Sequence, residues 1–208
     1  MIGGETHVSE TLLPETEFLS GERVYLRPVA PQDVARLYQW ANDAQTRALT
    51  GDTRPSTYAG ALAYYERIQQ DPERVWLAIV RHDTQQVIGE TGLLRMFPAW
   101  RTTDWSLIVG DPTARGQGYG SEAAWLMLNY AFGQLNFHRV AIGVVGFNQG
   151  ALRFYQRLGF QQEGIQRDGY FYEHRYYDFV MMSLLEDEFR GRWAERLVAG
   201  AAGPDSAS

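Results

Sequence analysis

The sequence predicts a single mixed α/β domain: a central mixed, mostly antiparallel twisted sheet with helices on both faces. Three observations carry that prediction. Short runs alternate apolar and polar residues at strand period, and longer segments between them repeat apolar residues at i, i+3, i+4 and i+7. No linker interrupts the 208 residues, a length that buries one core without cross-links.

In chain order, residues 1–20 mix Glu, Thr, Ser and Gly without period and are expected to form a flexible arm. Residues 22–29 alternate as a strand that stops at Pro28. Pro31 then opens a helix with Asp33, Val34, Leu37, Tyr38 and Ala41 on one face. A second helix is predicted over 56–70, ended by Asp71 and Pro72. Residues 74–81 and 86–95 read as strands joined across His82, Asp83 and Thr84, followed by a loop over 96–101. A strand from Thr103 feeds a glycine loop, after which Ala124, Trp125, Met127, Leu128, Ala131 and Phe132 mark a helix closed by Gly133. Val140, Ile142 and Val144 alternate in the next strand; Ala151, Phe154, Tyr155 and Leu158 then share a helix face stopped by Gly159. Two aromatic-rich strands are expected around Gly169, the second over 176–185, and 186–198 reads as a short helix. The boundaries that follow are an arm at 1–20, a domain at 21–186, and a helix with a disordered tail at 187–208.

Composition removes several function classes. With no cysteine there is no disulfide, thiolate zinc site or cysteine nucleophile. The net charge of −6 is concentrated in Glu5, Glu10, Glu15 and Glu17, without which the remainder carries −2, so charge says little about the substrate. All 19 basic residues are arginine, and they are scattered rather than clustered, which disfavours a nucleic-acid partner. No basic region precedes an apolar stretch and no run reaches membrane length, so the expectation is a soluble cytoplasmic protein without a membrane partner.

The most informative stretch is 103–133, where an alternating strand runs through Arg115-Gly116-Gln117-Gly118-Tyr119-Gly120 into a helix. A helix N-terminus leaves amides unpaired and carries partial positive charge, and glycines let the backbone approach an anion, so this order suits phosphate. A Walker A loop is excluded because the chain has no lysine, and a dinucleotide fingerprint fails because Ser121 stands at its third glycine. Arg115-x-x-Gly118-x-Gly120 instead resembles the Q/R-x-x-G-x-G/A loop of the GNAT family of N-acyltransferases. About 30 residues on, Asn148-x-x-Ala151-x-x-x-Tyr155-x-x-x-Gly159-Phe160 is similar to that family's other signature. The strings G-Q-G-Y-G-S-E-A, F-H-R-V and M-S-L-L-E-D-E further resemble the RimJ/RimL-type branch, which acetylates protein N-termini, polyamines and small amines. The resemblance covers roughly residues 23–185 and implies a GNAT-like domain.

What the resemblance implies is direct transfer from acetyl-CoA to an amine in a ternary complex, without a metal. The backbone of Arg115, Gly116, Gln117, Gly118, Tyr119, Gly120 and Ser121 is implied at the pyrophosphate, and Leu107, Ile108 and Val109 at the pantetheine arm and thioester carbonyl, where that strand parts from its neighbour. Asn148 is implied at the cofactor, although it also reads as a helix cap. Tyr155 is implied there too, as proton donor to the leaving thiolate: a phenol with pKa near ~10 stays protonated at neutral pH. Tyr155 also reads as a core tyrosine on an apolar face. Asp104 and Glu90 are the candidates for general base, with solvent as the alternative. Glu122, in the first turn of its helix, is accounted for by the helix dipole. For the acceptor, a small-molecule amine or a protein N-terminus, the candidate residues are Trp40, Trp105, Tyr170, Tyr172 and His174; aromatic faces attract a cationic amine. A homodimer is compatible with the branch. A catalytically silent CoA-binding sensor and an enzyme using another acyl-CoA remain the rival readings.

Overall fold

In a computed structural model, residues 16–51 and 53–201 are described, so most of the expected arm and the tail beyond 201 lie outside the described residues. Among the described residues the helices are α1 (Val34–Asn42), α2 (Ala44–Thr50), α3 (Tyr58–Gln69), α4 (Tyr119–Gly133), α5 (Gln149–Leu158) and α6 (Glu186–Ala201). The strands are β1 (Leu19–Ser20), β2 (Val24–Pro28), β3 (Val75–Arg81), β4 (Val87–Phe97), β5 (Thr102–Ile108), β6 (Arg139–Val145), β7 (Gln161–Tyr172) and β8 (Arg175–Leu185). They form one sheet in the order β1-β2-β3-β4-β5-β6-β8-β7. All neighbours are antiparallel except β5 and β6. A parallel pair needs a crossover, and α4 supplies it.

The two-residue period of a strand divides the core between the sheet's faces. In β3, Leu77 and Ile79 join a cluster with Val24, Trp105 and the α4 residues Ala123, Met127 and Leu128, whereas Ala78 and Val80 join Tyr25, Val29 and Leu37 on the other face. A bidentate ion pair fixes α1 to the sheet. Arg27 Nη1 and Nη2 donate to Asp33 Oδ2 and Oδ1 at 2.6 and 3.0 Å, both side chains are buried, and the Ala30 amide donates to Asp33 Oδ2 at 2.8 Å.

Four departures from the sequence-based expectation have local causes. Within the expected arm, Leu19 and Ser20 pair with Leu26 and Tyr25, and Phe18 sets its ring edge-on to Tyr130 at 5.1 Å. The helix α2 was not anticipated; Asp43 caps it by accepting the Thr46 amide at 2.8 Å, and Gly51 closes it at φ 85°. The strand β4 continues to Phe97 through the expected loop. Gly169 is not the hairpin turn: residues 167–169 bulge against Asp178, and the chain reverses at Glu173 and His174, whose φ values of 46° and 64° suit a two-residue hairpin loop. Among the described residues no helix is long and apolar enough to cross a membrane.

Candidate active site

β5 pairs with β4 along its length, but with β6 only at Thr102↔Arg139, Thr103↔Val140 and Asp104↔Ala141. Beyond Asp104 the parallel strands part, while β6 keeps its register with β8 as far as Val145↔Phe179. A cavity of about 1310 Å³ occupies the opening, lined by Leu107, Ile108 and Val109 on one side and by Ile142 and Val144 on the other. Gly143 admits the Phe179 ring, since a Cβ there would lie 2.1 Å from Phe179 Cε1. A lone glycine in an alternating strand was the sequence signal for that close approach.

The glycine loop lies where β5 gives way to α4. Gly116 and Gly118 adopt φ of 73° and 87°, and Gly118 is the N-cap of α4. The amides of Ser121 and Glu122 return to the Gly118 carbonyl at 3.1 and 3.2 Å, whereas those of residues 116–120 make no backbone hydrogen bond among the described residues. Unpaired amides at the positive end of a helix dipole fit an anion such as a pyrophosphate. Gly120 holds α4 close to the strand; a Cβ there would lie 3.3 Å from Val109 Cγ2.

The side chains around the loop are largely committed to holding it. Arg115 donates to the carbonyls of Val109 and Gly110 and to Gln45 Oε1, at 2.9, 3.2 and 2.7 Å, so its guanidinium secures the end of β5 rather than standing free in solvent. Arg23, unnoticed in the sequence, donates Nη1 to the Gln117 carbonyl at 3.0 Å and lies over the Tyr119 ring at 5.1 Å. Glu122 does more than answer the helix dipole. Its buried carboxylate accepts the Arg23 amide at 2.8 Å, the Val24 amide at 3.4 Å and Arg23 Nε at 3.1 Å. Burial raises the Glu122 pKa, but these donors outweigh it and leave the group below the ordinary glutamate value of 4.5. A carboxylate whose pKa is lowered by folding stabilises the protein above its unfolded pKa and loses that contribution as pH falls through the folded one. Glu122→Gln is therefore expected to cost ~1.5–3 kcal/mol at pH 7. Urea titrations should show the gap from the parent narrowing toward pH 3, and a pH-independent gap would contradict the assignment.

Tyr155 projects from α5 into the cavity. Trp105 and Phe160 enclose its ring, each with centroids 5.6 Å away in edge-to-face or tilted-edge contact, and burial pushes its pKa well above the usual phenol value. The helix is fixed at both ends. Asn148 Oδ1 accepts the Ala151 amide at 3.0 Å, and Gly159 closes the helix at φ 107°. Asn148 lines the cavity as well, so capping and a place at the cavity wall coincide in one residue.

The remaining candidates separate. Glu90 lines the cavity and accepts Trp76 Nε1 at 2.6 Å. Asp104 lies outside the lining and is ion-paired with Arg95. Trp105 lines the cavity, with Nε1 donating to Thr91 Oγ1 at 2.8 Å. Trp40 does not; its indole covers Gly110, where a Cβ would lie 2.0 Å from Trp40 Cδ2. Tyr170 donates to the Ala48 carbonyl at 2.8 Å, which braces α2, and packs with Tyr172 around Phe147; both stand outside the lining. His174 is exposed at the hairpin tip. Conversely, the cavity takes in Tyr64, Arg67 and Arg74, which helical and strand periodicity did not distinguish from ordinary surface residues.

The comparisons with known proteins bear on the family and the fold. A family model described as an acetyltransferase (GNAT) domain matches residues 23–161. An uncharacterized N-acetyltransferase of Bacillus subtilis, YokL, derived from the SPbeta prophage, is 26% identical over 175 residues, covering 83% of this chain and 95% of the relative. The spermidine N(1)-acetyltransferase of Escherichia coli K12 is 24% identical over 171 residues, covering 82% and 90%. Among solved structures, a Vibrio cholerae spermidine N-acetyltransferase in complex with CoA and spermine superposes with a TM-score of 0.76 at 20% identity, covering 80% of this chain and 98% of that one, a likeness of fold. Because the family model spans more than half of the chain, from Arg23 just before β2 to the first residue of β7, the protein belongs to the GNAT acetyltransferases.

Proposed function

We propose that the protein is an N-acetyltransferase of the RimJ/RimL-type branch, cytoplasmic, which moves the acetyl group of acetyl-CoA to a primary amine by direct attack in a ternary complex. One observation carries the reading: Tyr155 and Glu90 line the same cavity, which opens through the gap beside β5, and the glycine loop lies at the end of that strand. The unpaired loop amides and the parted strand edge fit the pyrophosphate and the pantetheine arm. Acetyl-CoA, when bound, supplies an activated thioester.

In this reading the amides of residues 116–120 hold the pyrophosphate, that of Ser121 being spent on the Gly118 carbonyl, and the edge formed by Leu107, Ile108 and Val109 holds the arm and the thioester oxygen. Tyr155 gives its proton to the sulfur; its raised pKa keeps the phenol protonated across the neutral range. Glu90 takes a proton from the acceptor ammonium, directly or through water, and Trp76 fixes its carboxylate. Asp104 is left to its ion pair with Arg95. The likeness to proteins named spermidine N-acetyltransferases supports an amine as acceptor.

The test is thiol release from acetyl-CoA across a panel of amines, after calorimetry establishes CoA binding. Amine-dependent release is expected, with Glu90→Gln lowering kcat/KM by roughly 10²-fold near neutral pH. That deficit should shrink as pH approaches the pKa of the acceptor, which then deprotonates unaided. CoA binding without release for any amine would favour the sensor reading, and absence of CoA binding would remove the basis of both.

A further inference from the structure

The charges around the acceptor half of the cavity are unequal in sign. Away from the glycine loop the lining passes along α3 and the first residues of β3, and its ionisable groups there are Arg54, Arg67 and Arg74 against the single carboxylate of Glu90. Glu90 stands with an aromatic group, since it accepts from Trp76, whose ring meets Tyr64 edge-on at 5.4 Å. A carboxylate beside aromatic faces suits an ammonium. The guanidinium of Arg67 lies over the Tyr64 ring at 5.2 Å, in the last turn of α3, where the helix dipole favours a cation. Among the described residues Arg74 is engaged through Nε, by Asp71 Oδ2 at 3.1 Å, so its terminal nitrogens keep donor capacity.

Strand register orders these groups. Ala78 opposes Glu90 and Trp76 opposes Gly92, so Trp76 follows on the same face of β3 toward its start, and Arg74 stands just before the strand. Each two-residue step advances roughly 6.6 Å. The cavity thus offers a site for an ammonium at Glu90 and Trp76 and, elsewhere on its wall, guanidinium groups at Arg74 ahead of β3 and at Arg67 on α3.

We propose that the acceptor is zwitterionic, an amine carrying a carboxylate some distance from the nitrogen, and that polycationic amines are poor substrates. The inference rests on the acetyl-transfer reading above and supplies its substrate class. The amine is held at Glu90 for attack while Arg67 and Arg74 take the carboxylate in charge-assisted hydrogen bonds. A second ammonium in place of the carboxylate faces like charge and gains no partner there.

A matched trio tests the proposal: 6-aminohexanoate, hexylamine and 1,6-diaminohexane, which share one amine and differ at the far end. The expected order of kcat/KM is aminocarboxylate, alkylamine, diamine, with about tenfold or more between the first two. In Arg67→Gln with Arg74→Gln the ratio of 6-aminohexanoate to hexylamine should fall toward one, a comparison within one protein that is insensitive to its active fraction. A diamine equal to or better than the aminocarboxylate overturns the proposal, as does an unchanged ratio in the double variant. Calorimetry of 6-aminohexanoate against the CoA-loaded protein separates the two readings. Binding that the double variant loses, without thiol release in the parent, upholds the zwitterion site and rejects the transferase mechanism; turnover of hexylamine with no preference for the carboxylate does the reverse.

Discussion

Tyr155→Phe is expected to lower kcat by about 10²- to 10³-fold while CoA affinity stays within about twofold. The phenyl ring keeps every contact that packs the site: the edges of Trp105 and Phe160, and Phe154 at 5.2 Å. Only the hydroxyl is removed, and with it a proton that burial binds more tightly than in a free phenol. Because the effect falls on departure of the thiolate, acyl donors with more acidic thiols should suffer less from the substitution. Steady-state rates over a thioester series, paired with calorimetry for CoA, read both quantities. A kcat within threefold of the parent would return Tyr155 to the packing role that its apolar helix face also allows.

The second large effect falls on stability. Asp33→Ala is expected to destabilise the protein by ~3–5 kcal/mol, because it leaves the guanidinium of Arg27 buried beside no carboxylate. For a chain of this size that corresponds to a fall in Tm of roughly 6–20 °C. Replacing both members, Arg27→Met with Asp33→Leu, should recover much of the loss, since two apolar groups need no partner. The substitution lies far from the glycine loop in sequence, but it frees the start of α1, whose residues Val34 and Leu37 line the cavity. A thermal melt of Asp33→Ala within about 2 °C of the parent would show that α1 is held by its apolar face alone.

How much of this was legible in the sequence follows from the range of the forces involved. The glycine loop and the α5 segment are local, with their conformations written in Gly116, Gly118, Asn148 and Gly159, and each takes the expected form. Alternation and short apolar runs such as residues 75–80 likewise give the buried strands. Two elements escaped because their signals are short or displaced. The helix α2 has only seven residues, too few for a period to show, and the hairpin reverses at Glu173 and His174 although Gly169 is the stronger turn former. Azimuth was the other gap. The resemblance implied Trp40, Tyr170 and Tyr172 as aromatics near the acceptor, but Trp40 covers Gly110, Tyr170 bonds a carbonyl on α2 and Tyr172 packs on Phe147, all outside the cavity lining. That Asp104 is ion-paired with Arg95 while Glu90 lines the cavity and accepts from Trp76 is likewise set by partners that no local pattern reveals.

The parting of β5 from β6 has a bearing on solubility. An unpaired strand edge at the rim of a sheet is a template for other chains and a route to aggregation. Here residues 105–108 present such an edge in the middle of an eight-stranded sheet, between a partner that turns away and a cavity closed by Phe179 and the helices α1 to α3. A polypeptide strand carries side chains on alternate faces and needs a full inter-strand spacing on both of its sides, whereas a thin unbranched molecule does not. Open backbone hydrogen-bonding groups are thereby accessible to a slender molecule, as the proposed function requires, and withheld from neighbouring proteins, so this edge is protected from β-sheet polymerisation by where it sits.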